Sequence, residues 1–273
     1  MGTATLSEGH DQVKARIIEA IKVGYRHFDT ASVYYTEKAL EEAIKEALNL
    51  GLINSRADLF ITTKLWCNFT EGHLVVPAMK QSLKDLGLEY VDLYLIHWPV
   101  TVHLDEFKVP VPTECIAAIN IKDVWEGMEK CQDLGLTKSI DVSNFGPRLI
   151  EEILSFAKIP PAVNQVTSAS GTRWGHNRAM ENDVLQDIAK SKGKTIAQIA
   201  LRWIYEQGVS FLVKSLNKER MQQNLEIFDW SLTQDELNKI SKIPQQKHLY
   251  LIDLFVTEPN AFLAEIDADL SFQ

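Results

Sequence analysis

Apolar positions along the chain alternate between stretches of helical period and short unbroken runs, and that alternation predicts helices and buried strands in turn. Val13, Ile17, Ile18, Ala20 and Ile21 recur at helical spacing over residues 11–23, and Gly24 closes the segment. Residues 25–31 read as a short strand ending in Asp29, Thr30 and Ala31. A helix over 36–50 puts Leu40, Ala43, Ile44 and Leu48 on one face, and a strand over 58–65 carries Lys64 at its end. Helix 73–86 leads to strand 91–97, an apolar run stopped by His97, Trp98 and the helix-forbidding Pro99. The polar, proline-containing insertion 100–120 is long enough to be a functional loop over a site. Helix 121–134, strand 138–142 ending in Ser143, Asn144 and Phe145, helix 149–157 and strand 162–166 follow. The alternation fails over 167–180. Helices then resume over 181–192 and 195–207, strand 209–213 ends in Lys214 and Ser215, and helices 218–228 and 233–240 precede a tail, 244–273, without clear period.

Strand, helix, strand at this spacing implies right-handed βαβ units and a parallel sheet, with six strands expected. No linker or low-complexity tract divides residues 1–273, so one domain is expected. Neither a Gly-x-Gly-x-x-Gly turn nor a Gly-x-x-x-x-Gly-Lys loop follows any strand, which removes the fingerprints of the dinucleotide and nucleotide-hydrolase folds. Asp29, Lys64, His97, Ser143, Asn144, Gln165, Lys214 and Ser215 all fall at carboxyl ends of strands. A (β/α) barrel gathers such ends around one mouth.

Composition narrows the partners. A net charge of -9 lacks the basic footprint that nucleic acid or an anionic membrane would need, so an anionic ligand requires a local cationic cluster. Cys67, Cys115 and Cys131 have no metal spacing and cannot all pair, which fits a reducing compartment and gives no metal site. The N-terminal ten residues lack the apolar core of a signal peptide, and no run reaches membrane-spanning length. A soluble cytoplasmic protein is expected. Nothing in the pattern points to an oligomeric state.

Asp29, Tyr34, Lys64 and His97 stand out for chemistry. A phenol with an ordinary pKa of about 10 is a poor acid at neutral pH, but a neighbouring ammonium should lower that value. The carboxylate would hold the lysine charged and in place, while an imidazole orients a substrate oxygen. Singly, each has a structural reading: Asp29 a cap or ion-paired acid, Tyr34 a surface ring, Lys64 a solvated charge, His97 a hydrogen-bonded histidine under a loop. Their joint placement at successive strand ends favours the catalytic one.

Gly24-Tyr25-Arg26-His27-Phe28-Asp29-Thr30-Ala31 with Tyr34, Ile61-Thr62-Thr63-Lys64-Leu65-Trp66, and residues 91–99 together resemble the signatures of the aldo-keto reductase family. Val142-Ser143-Asn144-Phe145, Val163-Asn164-Gln165 and Lys214-Ser215-Leu216-Asn217-Lys218-Glu219-Arg220 extend the likeness over roughly residues 16–240, and Gly171-Thr172-Arg173-Trp174-Gly175 and Glu226-Ile227-Phe228-Asp229-Trp230 are similar to its plant members. The resemblance implies a (β/α)8 barrel that reduces an aldehyde or ketone with NADPH. It implies Tyr34 as general acid, Lys64 and Asp29 as its tuning pair, and His97 as the group orienting the carbonyl. Ser143, Asn144 and Gln165 would bind the nicotinamide amide, and Thr3 and Asp29 would also lie against the cofactor. Lys214, Ser215 and Arg220 would hold the 2'-phosphate, a role that also suits cations near a helix start, and Asn224 would face the adenine. Trp66 and Trp98 would shape the substrate pocket or, equally, the core, together with the tail.

The likeness breaks in three places. Residues 1–4 look like only the end of the first barrel strand. After Val166 a helix and a strand, the sixth helix and the seventh strand of the family barrel, are missing, and with them the tyrosine that stacks on the nicotinamide ring. Asp141 stands where the family usually has glycine, and an acid on a barrel strand must find a partner or raise its pKa, with consequences for cofactor binding. An incomplete barrel is therefore expected. Three readings follow: an NADPH-dependent reductase, an impaired or inactive paralogue or fragment that at most binds NADPH, and a barrel aldolase using Lys64 as a Schiff-base amine.

Overall fold

The computed structural model describes residues 1–5, 8–104, 111–165 and 181–243. Among these lie strands β1 (His27–Asp29), β2 (Phe60–Leu65), β3 (Val91–Ile96), β4 (Val100–Val102), β5 (Ile116–Ala118), β6 (Thr137–Ser143) and β7 (Asn164–Gln165). Five form one parallel sheet in the order β1-β2-β3-β6-β7, and β4 and β5 pair antiparallel on their own. Helices α1 (His10–Val23), α2 (Glu37–Asn49), α3 (Gly72–Leu86), α4 (Ile121–Asp133) and α5 (Pro147–Phe156) alternate with the sheet strands. Helices α6 (Asp183–Lys192), α7 (Ile196–Glu206), α8 (Lys218–Leu225) and α9 (Gln234–Ser241) follow.

Each early helix is set by an apolar stripe and a stop. In α2 the residues Ala39, Leu40, Ala43, Ile44 and Ala47 are buried, and α1 ends where Gly24 takes a φ of 116°, a conformation glycine adopts without steric cost. These stripes cover one face of the sheet, where Phe28, Ile61, Tyr94, Ile96, Ile140 and Val142 meet them in a single core. Side chains alternate along a strand. The register Asp29↔Thr62, Lys64↔Leu95 and Leu95↔Asp141 therefore puts Asp29, Lys64 and Asp141 together on the opposite face.

Residues 1–3 lie along the free edge of β1, as the end of a first barrel strand should. The Asp29 amide donates to Met1 O at 3.0 Å, the Thr3 amide donates to Asp29 O at 2.9 Å, and Gly2 bridges Asp29 in parallel sense.

Two expectations need correction. Residues 209–213 do not form a strand: Val209 is 54% exposed, and the segment's link to the sheet edge among the described residues is the Gly2 amide on Val213 O at 3.0 Å. An apolar run becomes a strand only where a neighbour offers a ladder, and here β7 ends the described sheet on one side while residues 1–3 edge it on the other. The two ends of the insertion 100–120 are strands rather than loop, because β4 pairs with β5 from Val100↔Ala118 to Val102↔Ile116. The irregular stretch 167–180, the tail 244–273 and residues 105–110 of the insertion lie outside the described residues.

One buried acid belongs to the frame. Glu37 opens α2, is 4% exposed, and accepts the Thr63 hydroxyl at 2.7 Å on the far side of β2 from Lys64. Burial pushes its carboxyl from 4.5 up to about 7. The neutral form is therefore favoured by folding, and its contribution to stability is full below pH 4.5 and lost as pH rises through about 7. Glu37→Gln, which cannot ionise, should gain stability over the native chain at pH 8 by about 1–3 kcal/mol, with the difference closing by pH 5; urea unfolding at both pH values measures it.

Candidate active site

The carboxyl ends of β1, β2 and β3 bring four side chains together. Lys64, at 1% exposure, donates from Nζ to Asp29 Oδ1 at 2.6 Å and to Thr30 O at 2.9 Å. Tyr34, on a 3-10 turn (Ser32–Tyr34) just after β1, has its ring centroid 5.0 Å from Lys64 Nζ. The phenol oxygen lies 3.2 Å from Nε2 of His97, and the two rings meet edge to face at 5.4 Å. Asp29 Oδ2 accepts Gln165 Nε2 at 3.0 Å, so both carboxylate oxygens are engaged. The structure thus unites Asp29, Tyr34, Lys64 and His97, and joins Gln165 to them.

The electrostatics assign protonation states. Burial lowers the Lys64 pKa, but the Asp29 carboxylate and the Tyr34 oxygen outweigh it and leave the value above the ordinary lysine range, so Lys64 is an ammonium. Burial, with the Lys64 charge adding to it, drives His97 well below 6.5, so its ring is neutral. For Tyr34 the expectation of a lowered pKa is corrected: burial raises the phenol above 10, and the Lys64 charge offsets only part of that rise. Tyr34 therefore carries its proton at neutral pH.

Ser143, Asn144 and Gln165 form a second group beside the first. The Ser143 hydroxyl donates to Gln165 O at 2.6 Å, and the Asn144 amide nitrogen donates to His97 O at 2.9 Å and to the Ser143 hydroxyl at 3.0 Å. Asn144 takes a φ of 62°, a left-handed turn that asparagine tolerates and that aims its side chain back at β3. Asp141 meets both of its expectations at once. Burial raises its carboxyl, and Oδ1 accepts the amides of Ala162 at 2.5 Å and Val163 at 2.8 Å.

The remaining sites predicted from sequence are placed as follows. Thr3 shares a hydrogen bond with the Thr36 hydroxyl at 2.8 Å and donates to Asp29 O at 3.1 Å. Trp66 and Trp98 are both buried in an apolar cluster with Cys67, Val100, Val102 and Val111, and Trp66 sits edge-on to His97 at 5.1 Å. That cluster lies under the β4–β5 pair, beside a cavity of about 410 Å³ lined by Asn68, Val102, His103 and Leu104. Lys214 donates to Ala4 O, Ser215 brackets Asn217 at 3.2 Å, and Asn217 caps α8 by accepting the Arg220 amide at 2.9 Å. Arg220 is exposed at that helix start, whereas Asn224 hydrogen-bonds the Tyr25 phenol.

The order of strands, the tetrad at their ends and the open sheet invite comparison with known proteins. A model of the aldo/keto reductase family matches residues 1–170 and 172–245. The chain belongs to that family. It is 52% identical over 265 residues to a (1S)-1,7-diacetoxy-luvungin A aldo-keto reductase of Citrus sinensis, covering 87% of this chain and 83% of that protein. With the D-galacturonate reductase of Fragaria ananassa it shares 46% identity over 298 residues, 99% of this chain and 93% of the relative. With the NADPH-dependent codeinone reductase 1-4 of Papaver somniferum it shares 46% over 275 residues, 90% and 86%. A Bombyx mori aldo-keto reductase solved in complex with NADP superposes with a TM-score of 0.77 at 33% identity, covering 88% of this chain and 86% of that one. The five-stranded sheet is thus the greater part of a (β/α)8 barrel wall.

Sequence reasoning passed over Thr30, whose carbonyl takes the second Lys64 bond, and Thr36, whose hydroxyl joins Thr3 to Thr30. Backbone acceptors leave no mark on residue type. Thr36 has a weak one, as the threonine that opens the predicted helix 36–50. Lys64→Met would leave Asp29 buried without its cation; a loss of about 3–5 kcal/mol in urea unfolding at pH 7 is expected, and a loss below about 1 kcal/mol would contradict the buried pair.

Proposed function

We propose that this chain reduces an aldehyde or ketone to the alcohol with NADPH, Tyr34 supplying the proton. The observation that carries the reading is the 3.2 Å approach of the Tyr34 phenol to a neutral His97, backed by the buried Lys64–Asp29 pair. The donor set fits the cofactor. Ser143, Asn144 and Gln165 offer a hydroxyl and two amides, matching the acceptor and donor of a carboxamide, and Lys214 and Ser215 precede α8 while Arg220 stands in its first turn, where a phosphate would be held.

When bound, NADPH supplies the hydride that the carbonyl carbon receives. The protein's share is the proton and its timing. Tyr34 Oη and His97 Nε2 lie 3.2 Å apart, so one carbonyl oxygen placed against both would accept from the phenol and from His97 in its Nε2–H tautomer. As negative charge grows on that oxygen, the Tyr34 hydroxyl delivers its proton. The Lys64 ammonium then stabilises the phenolate left behind, and Asp29 keeps the ammonium in place. Trp66 lies edge-on to His97 and packs in one apolar cluster with Val100 and Val102 of β4 and Ile116 of β5, so the surface beside His97 is apolar.

The aldolase reading fares worse. A Schiff base needs a neutral amine, and Lys64 is held as an ammonium by the carboxylate 2.6 Å away. We also place the protein in the cytoplasm, in keeping with free thiols at Cys67, Cys115 and Cys131. Among the described residues no helix is long and apolar enough to cross a membrane. Its partner is a small carbonyl compound, as the names of its relatives indicate for them.

Tyr34→Phe removes the proton and keeps the ring. Carbonyl-dependent NADPH oxidation should fall by about 10²–10⁴, with NADPH binding by fluorescence titration unchanged within about twofold. A native chain that binds NADPH but oxidises none with any aldehyde or ketone would instead identify an inactive member of the family.

A further inference from the structure

Strand β7 carries Gln165, yet it is two residues long and edges the described sheet. Its ladder bonds to β6 are long: the Val142 amide reaches Val163 O at 3.3 Å and the Asn144 amide reaches Gln165 O at 3.2 Å. So short a strand should slip or fray unless something else fixes its register. Side chains of β6 and the turn after it do so. The Asn164 side chain donates to Phe145 O at 2.8 Å and accepts the Phe145 amide at 3.2 Å, and the Ser143 hydroxyl takes Gln165 O.

Asp141 accepts two backbone amides on Oδ1, from Ala162 at 2.5 Å and Val163 at 2.8 Å, both shorter than the ladder bonds of β7. Both donors precede β7 directly, and both residues are exposed, so without the carboxylate oxygen these amides would turn to water. Asp141 itself is buried at 4% exposure, on the face it shares with Lys64. A glycine at this position has no oxygen to offer. The connection runs onward through two residues of backbone to Gln165, whose amide nitrogen holds Asp29 Oδ2 at 3.0 Å.

We infer that Asp141 is a positioning residue: its carboxylate oxygen latches the entry to β7, and thereby sets Gln165 against Asp29 and toward the cofactor's carboxamide. The last step rests on the NADPH reading proposed above, whereas the latch itself does not. Asparagine keeps an acceptor oxygen at Oδ1, and alanine removes it. The two substitutions therefore separate the acceptor from mere occupancy of the strand.

The test combines amide hydrogen exchange of the cofactor-free protein with NADPH titration by fluorescence, on native chain, Asp141→Asn and Asp141→Ala. In Asp141→Ala the amides of residues 162–165 should exchange about tenfold faster or more, with β2 and β3 unchanged, and NADPH should bind about tenfold more weakly. Asp141→Asn should keep both properties within about twofold of native. Native exchange and affinity in Asp141→Ala would overturn the latch, as would equal loss in both variants or loss of protection throughout the sheet. A native chain that binds no NADPH would sink the cofactor reading, while the exchange comparison would still decide whether Asp141 holds β7.

Discussion

A lysine ammonium buried to 1% exposure is the constraint on which the rest of the site depends. Taking such a charge out of water costs several kcal/mol unless a counter-charge and further acceptors meet it. Asp29 and the Thr30 carbonyl do so, and both come from the end of β1. The register of β1 on β2 is therefore tied to an ion pair as well as to a ladder. Asp29 is fixed in turn by Gln165 from β7, across the sheet. One carboxylate, that of Asp29, thus joins β1 to β2 through the ion pair and to β7 through a hydrogen bond.

That placement decides the chemistry available to the neighbours. A phenol buried beside apolar surface holds its proton tightly, and a phenol beside an ammonium gives it up more easily; Tyr34 experiences both, with burial the stronger. It therefore stands loaded with a proton at neutral pH, while Lys64 limits the cost of losing it. His97, kept neutral by burial and by the same ammonium, is left to hydrogen-bond rather than to titrate. A protonated phenol, an ammonium beside it and a neutral imidazole thus arise from three strand ends and one charge.

Much of this was legible in residue pattern. Polar residues ending apolar runs at Asp29, Lys64, His97 and Ser143 marked the site because strand ends in a parallel sheet meet on one side. Helix spans were readable within a few residues, since the apolar stripes of α1 to α5 face one core and those of α6, α7 and α9 another. The failures are those of partners rather than of residues. Residues 209–213 have the composition of a strand but, among the described residues, no second neighbour to pair with, and the β4–β5 pair was hidden because its strands are only three residues long. Asp141 could be seen as out of place, but its backbone partners lie 21 and 22 residues away in a stretch whose side chains announce nothing. The direction of the Tyr34 shift was missed because an adjacent charge is visible in sequence and the depth of burial is not.

Isotope transfer tests the proposed chemistry most directly. NADPH deuterated at C4, in each of its two epimers, would be incubated with the native chain and an aromatic aldehyde, and the alcohol examined by mass spectrometry and NMR. One epimer should place a single deuterium on the carbinol carbon. Alcohol without deuterium from either epimer, or no alcohol under conditions where NADPH is bound, would contradict a site built to protonate an oxygen while its carbon receives a hydride.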